Sequence, residues 1–198
     1  DAGTGKRYVL RKQPPGPLLA SAHAVDREYR VMKALGPTPV PVPEMLAYCS
    51  DAAILGTHFY LMPFLEGRIY ANNHLADMTP PERTAAYQAI AETLAALHRL
   101  DVAAVGLADF GRPGNYFVRQ IARWTRQYRD AETAHIPSME RLIAELPGRI
   151  PADDQSCLVH GDYRQENLMF AADGPRVIAL LDWELSTLGH PLSDVAFF

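Results

Sequence analysis

Two adjoining stretches constrain this chain most: LVHGDYRQEN, residues 158–167, and NLMFAADGPRVIALLDW, residues 167–183. In the second, Asp173–Gly174 separates two apolar runs, a strong local signal for a β-hairpin. A hairpin returns the chain to its starting point. It would therefore bring Asp182, at its exit, beside Asp162 and Asn167 on the loop that precedes it. Gly, Asp and Asn also favour ordinary polar turns. A plain turn, however, requires neither the Asn five residues after Asp162 nor a second Asp beyond a hairpin.

The three side chains suit one chemistry. Asn167 and Asp182 offer hard oxygen atoms of the kind that hold magnesium while leaving room for phosphate oxygens. Asp162 can accept a hydrogen bond from an incoming hydroxyl. Phosphoryl transfer needs a positioned acceptor and metal-bridged phosphates, with little covalent chemistry from the protein. The interval from Asp162 to Asn167 equals that of the protein-kinase catalytic loop, where a metal-binding Asp likewise follows.

Bulk properties exclude other classes. The 198 residues carry a formal net charge of −4, which gives no electrostatic case for nucleic acid. No apolar run approaches a membrane span, and the first residues, DAGTGKRY, lack a signal peptide's apolar region. Cys49 and Cys157 are the two cysteines, outside any CxxC, and suit a reducing cytoplasmic setting.

The remaining pattern predicts an α+β chain. KRYVLRKQ (6–13) reads as a strand stopped by the proline-rich PPGP. A helix over 21–36 follows, with Val25, Tyr29, Met32 and Leu35 on one face and Gly36 as its stop. PTPVPVPEML is expected to be extended, since residues before proline avoid helical backbone. HFYLMPFLEG contains a strand broken by Pro63. Three helices are then expected. The first starts at Thr79–Pro80 with the stripe Tyr87, Ile90, Leu94 and Leu97; the second, over 115–132, buries Phe117, Ile121, Trp124 and Tyr128; the third, over 138–146, offers Met139, Leu142, Ile143 and Leu146. Residues 1–66 read as a small α/β lobe and 67–198 as a mainly helical lobe holding the hairpin.

HGDYRQEN followed by LLDWELSTLGHPLSDVAFF resembles the aminoglycoside phosphotransferase and choline kinase-like family, and most of all its branch associated with acyl-CoA dehydrogenases. The resemblance implies a protein-kinase-like two-lobe fold, ATP (or GTP) and magnesium as cofactors, and a hydroxyl group of a small molecule as acceptor. It assigns Asp162 as base or hydroxyl-orienting residue and Asn167 and Asp182 as metal ligands. Asp194 would brace the catalytic loop, and His160 would be structural. Glu28 matches the family's helix glutamate, which pairs with a basic residue on the preceding strand. Strand alternation puts Val9 and Arg11 on one face and Lys12 on the other, which favours Arg11 over Lys12 as the phosphate contact. LMPFLEG resembles the hinge: Pro63 C=O and Leu65 N–H would bond the adenine edge, and Met62 would line the pocket. An association with an acyl-CoA dehydrogenase also follows from the likeness.

Two further readings come from position. Arg164, two residues after Asp162, stands where protein kinases carry a phosphate-contacting Lys; the other reading is a surface ion pair. Arg119, Arg123, Arg126 and Arg129 form a stripe that is either a solvated face or, through Arg119, Arg123 and Arg126, a docking strip for an anionic acceptor such as a carboxylate or coenzyme A ester.

The strand carrying Arg11 opens the chain, so the strands and glycine-rich loop expected before it are absent, and the helices expected after Phe198 are absent too. The chain reads as truncated at both ends. The space between Asp182 and Asp194 is too short for a protein-kinase activation loop, which favours a small acceptor over a protein. Two rivals remain: a catalytically inactive nucleotide-binding module that regulates a partner enzyme, and a metallohydrolase built on His160, Asp162, His190 and Asp194.

Overall fold

A computed structural model describes residues 3–14, 24–71 and 74–198. The expected helix start at 21–23 and most of the PPGP turn lie outside the described residues.

Strand β1 (Tyr8–Lys12) pairs antiparallel with β3 (Phe59–Pro63), which in turn pairs with β2 (Ala47–Cys49), giving the sheet order β1-β3-β2. The β1–β3 register sets Val9 against Met62 and Arg11 against Tyr60. Directly opposed residues share a face, so Arg11 and Tyr60 point together, as do Val9 and Met62. Helix α1 (Val25–Leu35) packs on this sheet through Val25, Glu28, Val31, Met32 and Leu35, all buried. A glutamate among four apolar residues on the buried face calls for a partner, and the sheet supplies two.

A four-residue helix, α2 (Ala52–Leu55), precedes β3, and the Asp51 carboxylate caps it by accepting from Ala53 N–H at 2.8 Å. The strand expected across HFYLMPFLEG ends at Pro63.

Helix α3 (Pro80–His98) starts as expected. Pro80 occupies its first position, and Glu82 accepts from the Thr79 backbone N–H and hydroxyl at 2.8 and 2.7 Å. Ile90 and Leu97 of its stripe are buried and Leu94 partly so, whereas Tyr87 is exposed.

The predicted hairpin is present. β6 (Leu168–Ala171) and β7 (Val177–Leu180) pair antiparallel, with the two-residue strand β4 (Gly67–Arg68) on the other edge of β6. Gly67 is required there, since a Cβ would meet Phe170 O at 2.6 Å. β5 (Cys157–Val159) and β8 (Thr187–Gly189) form a third, two-stranded sheet that holds the two ends of the hairpin region together. α6 (Leu192–Phe197) follows. Leu168, Phe170, Leu180 and Trp183 from this region join Leu35, Ile90 and Leu97 in one hydrophobic cluster. The loop before the hairpin and the hairpin itself are thus built on the same core as α1 and α3.

Helices α4 (Tyr116–Ala131) and α5 (Pro137–Glu145) correct the sequence reading. Neither contains a buried residue. Trp124 is 62 % exposed, Leu142 48 % and Leu146 40 %, while Phe117, Ile121 and Tyr128 are only half-buried. Amphipathic spacing identifies the apolar face of a helix, but not whether anything covers it.

Candidate active site

The loop from His160 to Asn167 is held from beneath by one buried carboxylate. Asp194, fully buried on α6, accepts from His160 N–H at 2.9 Å through Oδ2 and from Gly161 N–H at 2.8 Å through Oδ1. The His98 Nε2 atom lies 2.9 Å from Asp194 Oδ2. A buried carboxylate needs several donors to remain stable, and it finds two backbone amides and an imidazole. Gly161 adopts φ +83°, and a Cβ there would lie 2.6 Å from Leu185 O. The glycine lets the backbone turn against the segment that follows Asp182.

His160 is fixed through both ring nitrogens. Nε2 lies 2.9 Å from Leu181 O, and Nδ1 faces the Asp162 N–H at 3.3 Å. The pairing sets the tautomer: Nε2–H donates to the carbonyl and Nδ1 accepts. Burial holds the imidazole pKa below its ordinary value, which keeps the ring neutral. A ring committed in this way has no nitrogen left for a metal, and His190 Nε2 lies near Asp153, at 3.7 Å. Among the described residues the one cluster with metal-ligand spacing is Glu132, His135 and Glu140. The metallohydrolase set of His160, Asp162, His190 and Asp194 is therefore not assembled.

Asp162 and Asn167 are joined directly. Asn167 Nδ2 donates to Asp162 Oδ2 and to the Asp162 carbonyl, each at 2.8 Å. Leu181 N–H donates to Asn167 O at 2.8 Å, which ties the hairpin exit to the loop and places Asp182 next to it. Asp182 takes a left-handed conformation, φ 63° and ψ 64°, and its side chain is 42 % exposed. Non-glycine residues seldom adopt this backbone, and Asp is among those that do.

From the other side comes Arg11. Its Nη2 lies 3.3 Å from Glu28 Oε1, 3.9 Å from Asp182 Oδ1 and 3.8 Å from Glu184 Oε2. Tyr60, cross-strand partner of Arg11, donates its hydroxyl to Glu28 Oε2 at 2.8 Å, and burial raises the phenol's pKa well above its ordinary value. Lys12 is exposed on the opposite face of β1. Arg164 makes local ion pairs, with Nε 3.4 Å from Asp162 Oδ2 and Nη1 3.2 Å from Glu166 Oε2. Met62, Pro63 and Leu65 lie half-buried along the end of β3, with Met62 opposite Val9. Of the arginine stripe, Arg119 and Arg123 line a cleft of about 440 Å³ and Arg126 does not.

The donor set fits magnesium. Asn167 spends its amide nitrogen on Asp162, so its Oδ1 is left for a cation, and Asp182 adds a carboxylate. Sequence reasoning missed His98 and Tyr60. His98 ends α3, 96 positions from its partner Asp194, and no local pattern signals so distant a pair. Tyr60 could have been found by placing it opposite Arg11 in the strand register.

The phosphotransferase enzyme family matches the chain over residues 1–198. Mouse acyl-CoA dehydrogenase family member 10 is 50 % identical over 97 % of this chain, which spans 18 % of that protein's length. A Ralstonia eutropha crystal structure, named provisionally as an aminoglycoside phosphotransferase, superposes with a TM-score of 0.89 at 49 % identity; the match covers 97 % of this chain and 56 % of that one. The aminoglycoside phosphotransferase APH(4)-Ia, solved with ADP and hygromycin B, shares the fold at 20 % identity and a TM-score of 0.67, covering 98 % of this chain and 64 % of that one. Full-length coverage by the family and a kinase-like α+β architecture agree: the chain belongs to the phosphotransferase enzyme family.

Proposed function

We propose that the chain is the nucleotide-binding and catalytic part of an ATP- and magnesium-dependent phosphotransferase acting on a hydroxyl of a small molecule. The observation that carries this reading is the hydrogen-bonded unit of Asp162 and Asn167, tied through Leu181 to Asp182, with Arg11 reaching the same carboxylate from β1.

In this reading residues 1–66 bind the nucleotide and 67–198 hold the catalytic groups. Asp162 orients the acceptor hydroxyl and takes its proton at Oδ1 or Oδ2. Asn167 and Asp182 would hold magnesium, which would supply charge neutralisation to the phosphates. Arg11, aligned by Glu28, contacts the phosphates with a planar fork where many kinases use a lysine. Met62, Pro63 and Leu65 receive the adenine, Arg164 meets the transferring phosphate by exchanging its local ion pairs, and His160 and Asp194 keep the loop in place. The relatives' names support a hydroxy acid or hydroxyacyl thioester as acceptor, with an acyl-CoA dehydrogenase as associate; APH(4)-Ia supports an aminoglycoside-like one. Arg119, Arg123 and Arg126 would serve an anionic acceptor. Among the described residues no helix is long and apolar enough to cross a membrane.

The test is a magnesium–ATP consumption screen of the full-length protein against hydroxyacyl compounds, amino alcohols and aminoglycosides. Acceptor-dependent ADP release is expected, and it should disappear without magnesium and in Asp162→Asn. Nucleotide binding without release across the whole set would instead make the chain a regulatory module.

A further inference from the structure

Four arginines, Arg27, Arg112, Arg119 and Arg123, meet in one cleft of this protein. Arg30 on α1 is ion-paired with Asp109, and Arg129 on α4 with Glu132 and Glu140. Arg27, one turn before Arg30, and Arg112, Arg119 and Arg123 form no ion pair with a carboxylate among the described residues. These four line the same cleft, which lies between α1, the amino-terminal half of α4 and residues 184–188. Glu184 is the single carboxylate in that lining, and it also lies 3.8 Å from Arg11.

Two of the four guanidinium groups are held in place by neutral oxygens. Arg27 Nη2 donates to Phe110 O at 2.8 Å and Ser186 O at 3.3 Å, and its guanidinium lies 4.1 Å from the Phe110 ring centre. Arg119 donates to Gly114 O and, at 2.6 Å, to Arg112 O. Carbonyl partners fix a guanidinium without cancelling its charge. Much of the entropy of ordering these side chains is thereby already lost before any ligand arrives. Four positive charges against one carboxylate, two of them prepositioned, exceed what a solvated helix face requires.

We propose that this cleft is a phosphate-binding site, distinct from the nucleotide site and taking one phosphate group between Arg27, Arg112, Arg119 and Arg123. Guanidinium forks match phosphate oxygens two at a time. The cleft also contains Tyr116, Gln120 and Thr187, whose hydroxyl and amide groups can complete the oxygen shell. The site touches the backbone two residues beyond Asp182, and an anion there would draw α1, α4 and the hairpin exit together.

The test is calorimetric titration of the full-length protein with inorganic phosphate in magnesium-free buffer, repeated with Arg112→Gln/Arg123→Gln. These two residues are exposed and free of structural hydrogen-bond duty among the described residues, so the variant folds. Wild-type binding that weakens at least tenfold in the double variant is expected. Asp182→Asn should bind phosphate like the wild type, so the outcome does not depend on the phosphotransfer reading. Methyl phosphate binding as tightly as inorganic phosphate assigns the site to a phosphate monoester carried by a larger ligand, and a clear preference for inorganic phosphate assigns it to the free ion. Absence of binding, or equal binding by wild type and double variant, overturns the proposal.

Discussion

Asn167 Nδ2 donates at 2.8 Å to Asp162 Oδ2, so the residue proposed to orient the hydroxyl and one proposed to hold magnesium form a single unit. Replacing the amide by a carboxylate places two like charges in contact. Two carboxylates this close resist ionising together, and the pair then retains a proton to higher pH. In Asn167→Asp the acid limb of the pH–rate profile should therefore move to higher pH, with kcat reduced by about tenfold or more at neutral pH. A profile superimposable on the wild type would separate Asn167 from the function of Asp162.

Asp182 and Asp162 should fail differently. Asp182→Asn removes a carboxylate from the proposed metal site and should abolish transfer at the magnesium concentration that saturates the wild type, while folding is retained because the side chain is well exposed. Asp162→Asn should lower kcat by about a hundredfold or more with nucleotide affinity nearly unchanged. Loss of nucleotide binding in Asp162→Asn with turnover kept at saturation would contradict that division.

Arg11 and Lys12 test the strand register. Arg11 reaches Glu28 and Asp182, and Lys12 projects from the other face of β1. Arg11→Ala should raise the nucleotide Kd about tenfold or more, since it removes a charge-assisted contact and leaves buried Glu28 with Tyr60 as its remaining donor among the described residues. Lys12→Ala should leave the Kd unchanged. The opposite pattern in a nucleotide titration would mean that the strand register is shifted by one residue.

What could be read in the sequence follows the range of the forces involved. The hairpin was legible because its signal is local: two apolar runs separated by Asp173–Gly174. Alternation also sufficed to put Arg11 on the Glu28 side, because the strand period is two. The three-residue ladders β2, β5 and β8 were not foreseen; strands this short carry too few residues to show a period. The exposure of Trp124 was misread because its helical spacing matches that of buried faces, and burial depends on what packs against the helix. Position alone left Arg164 between two readings, and the geometry shows it in ion pairs with Asp162 and Glu166.

His98 lies furthest from any sequence signal, and its role can be isolated. Its Nε2 is 2.9 Å from Asp194 Oδ2, and Asp194 in turn holds the His160 and Gly161 amides immediately before Asp162. His98→Ala would leave a fully buried carboxylate with one donor fewer, which costs about 1–3 kcal/mol of stability. The loop backbone should then loosen, lowering kcat about tenfold, while the nucleotide Kd, proposed to depend on residues of the β1-β3-β2 sheet, should stay as it was. Gln can place an N–H close to the position of the imidazole Nε2–H, so His98→Gln should recover most of both losses. Thermal unfolding and steady-state kinetics on the two variants separate the possibilities. If His98→Ala is destabilised but turns over at the wild-type rate, or if Gln restores stability without restoring kcat, the imidazole only fills space beneath the loop and does not position Asp162.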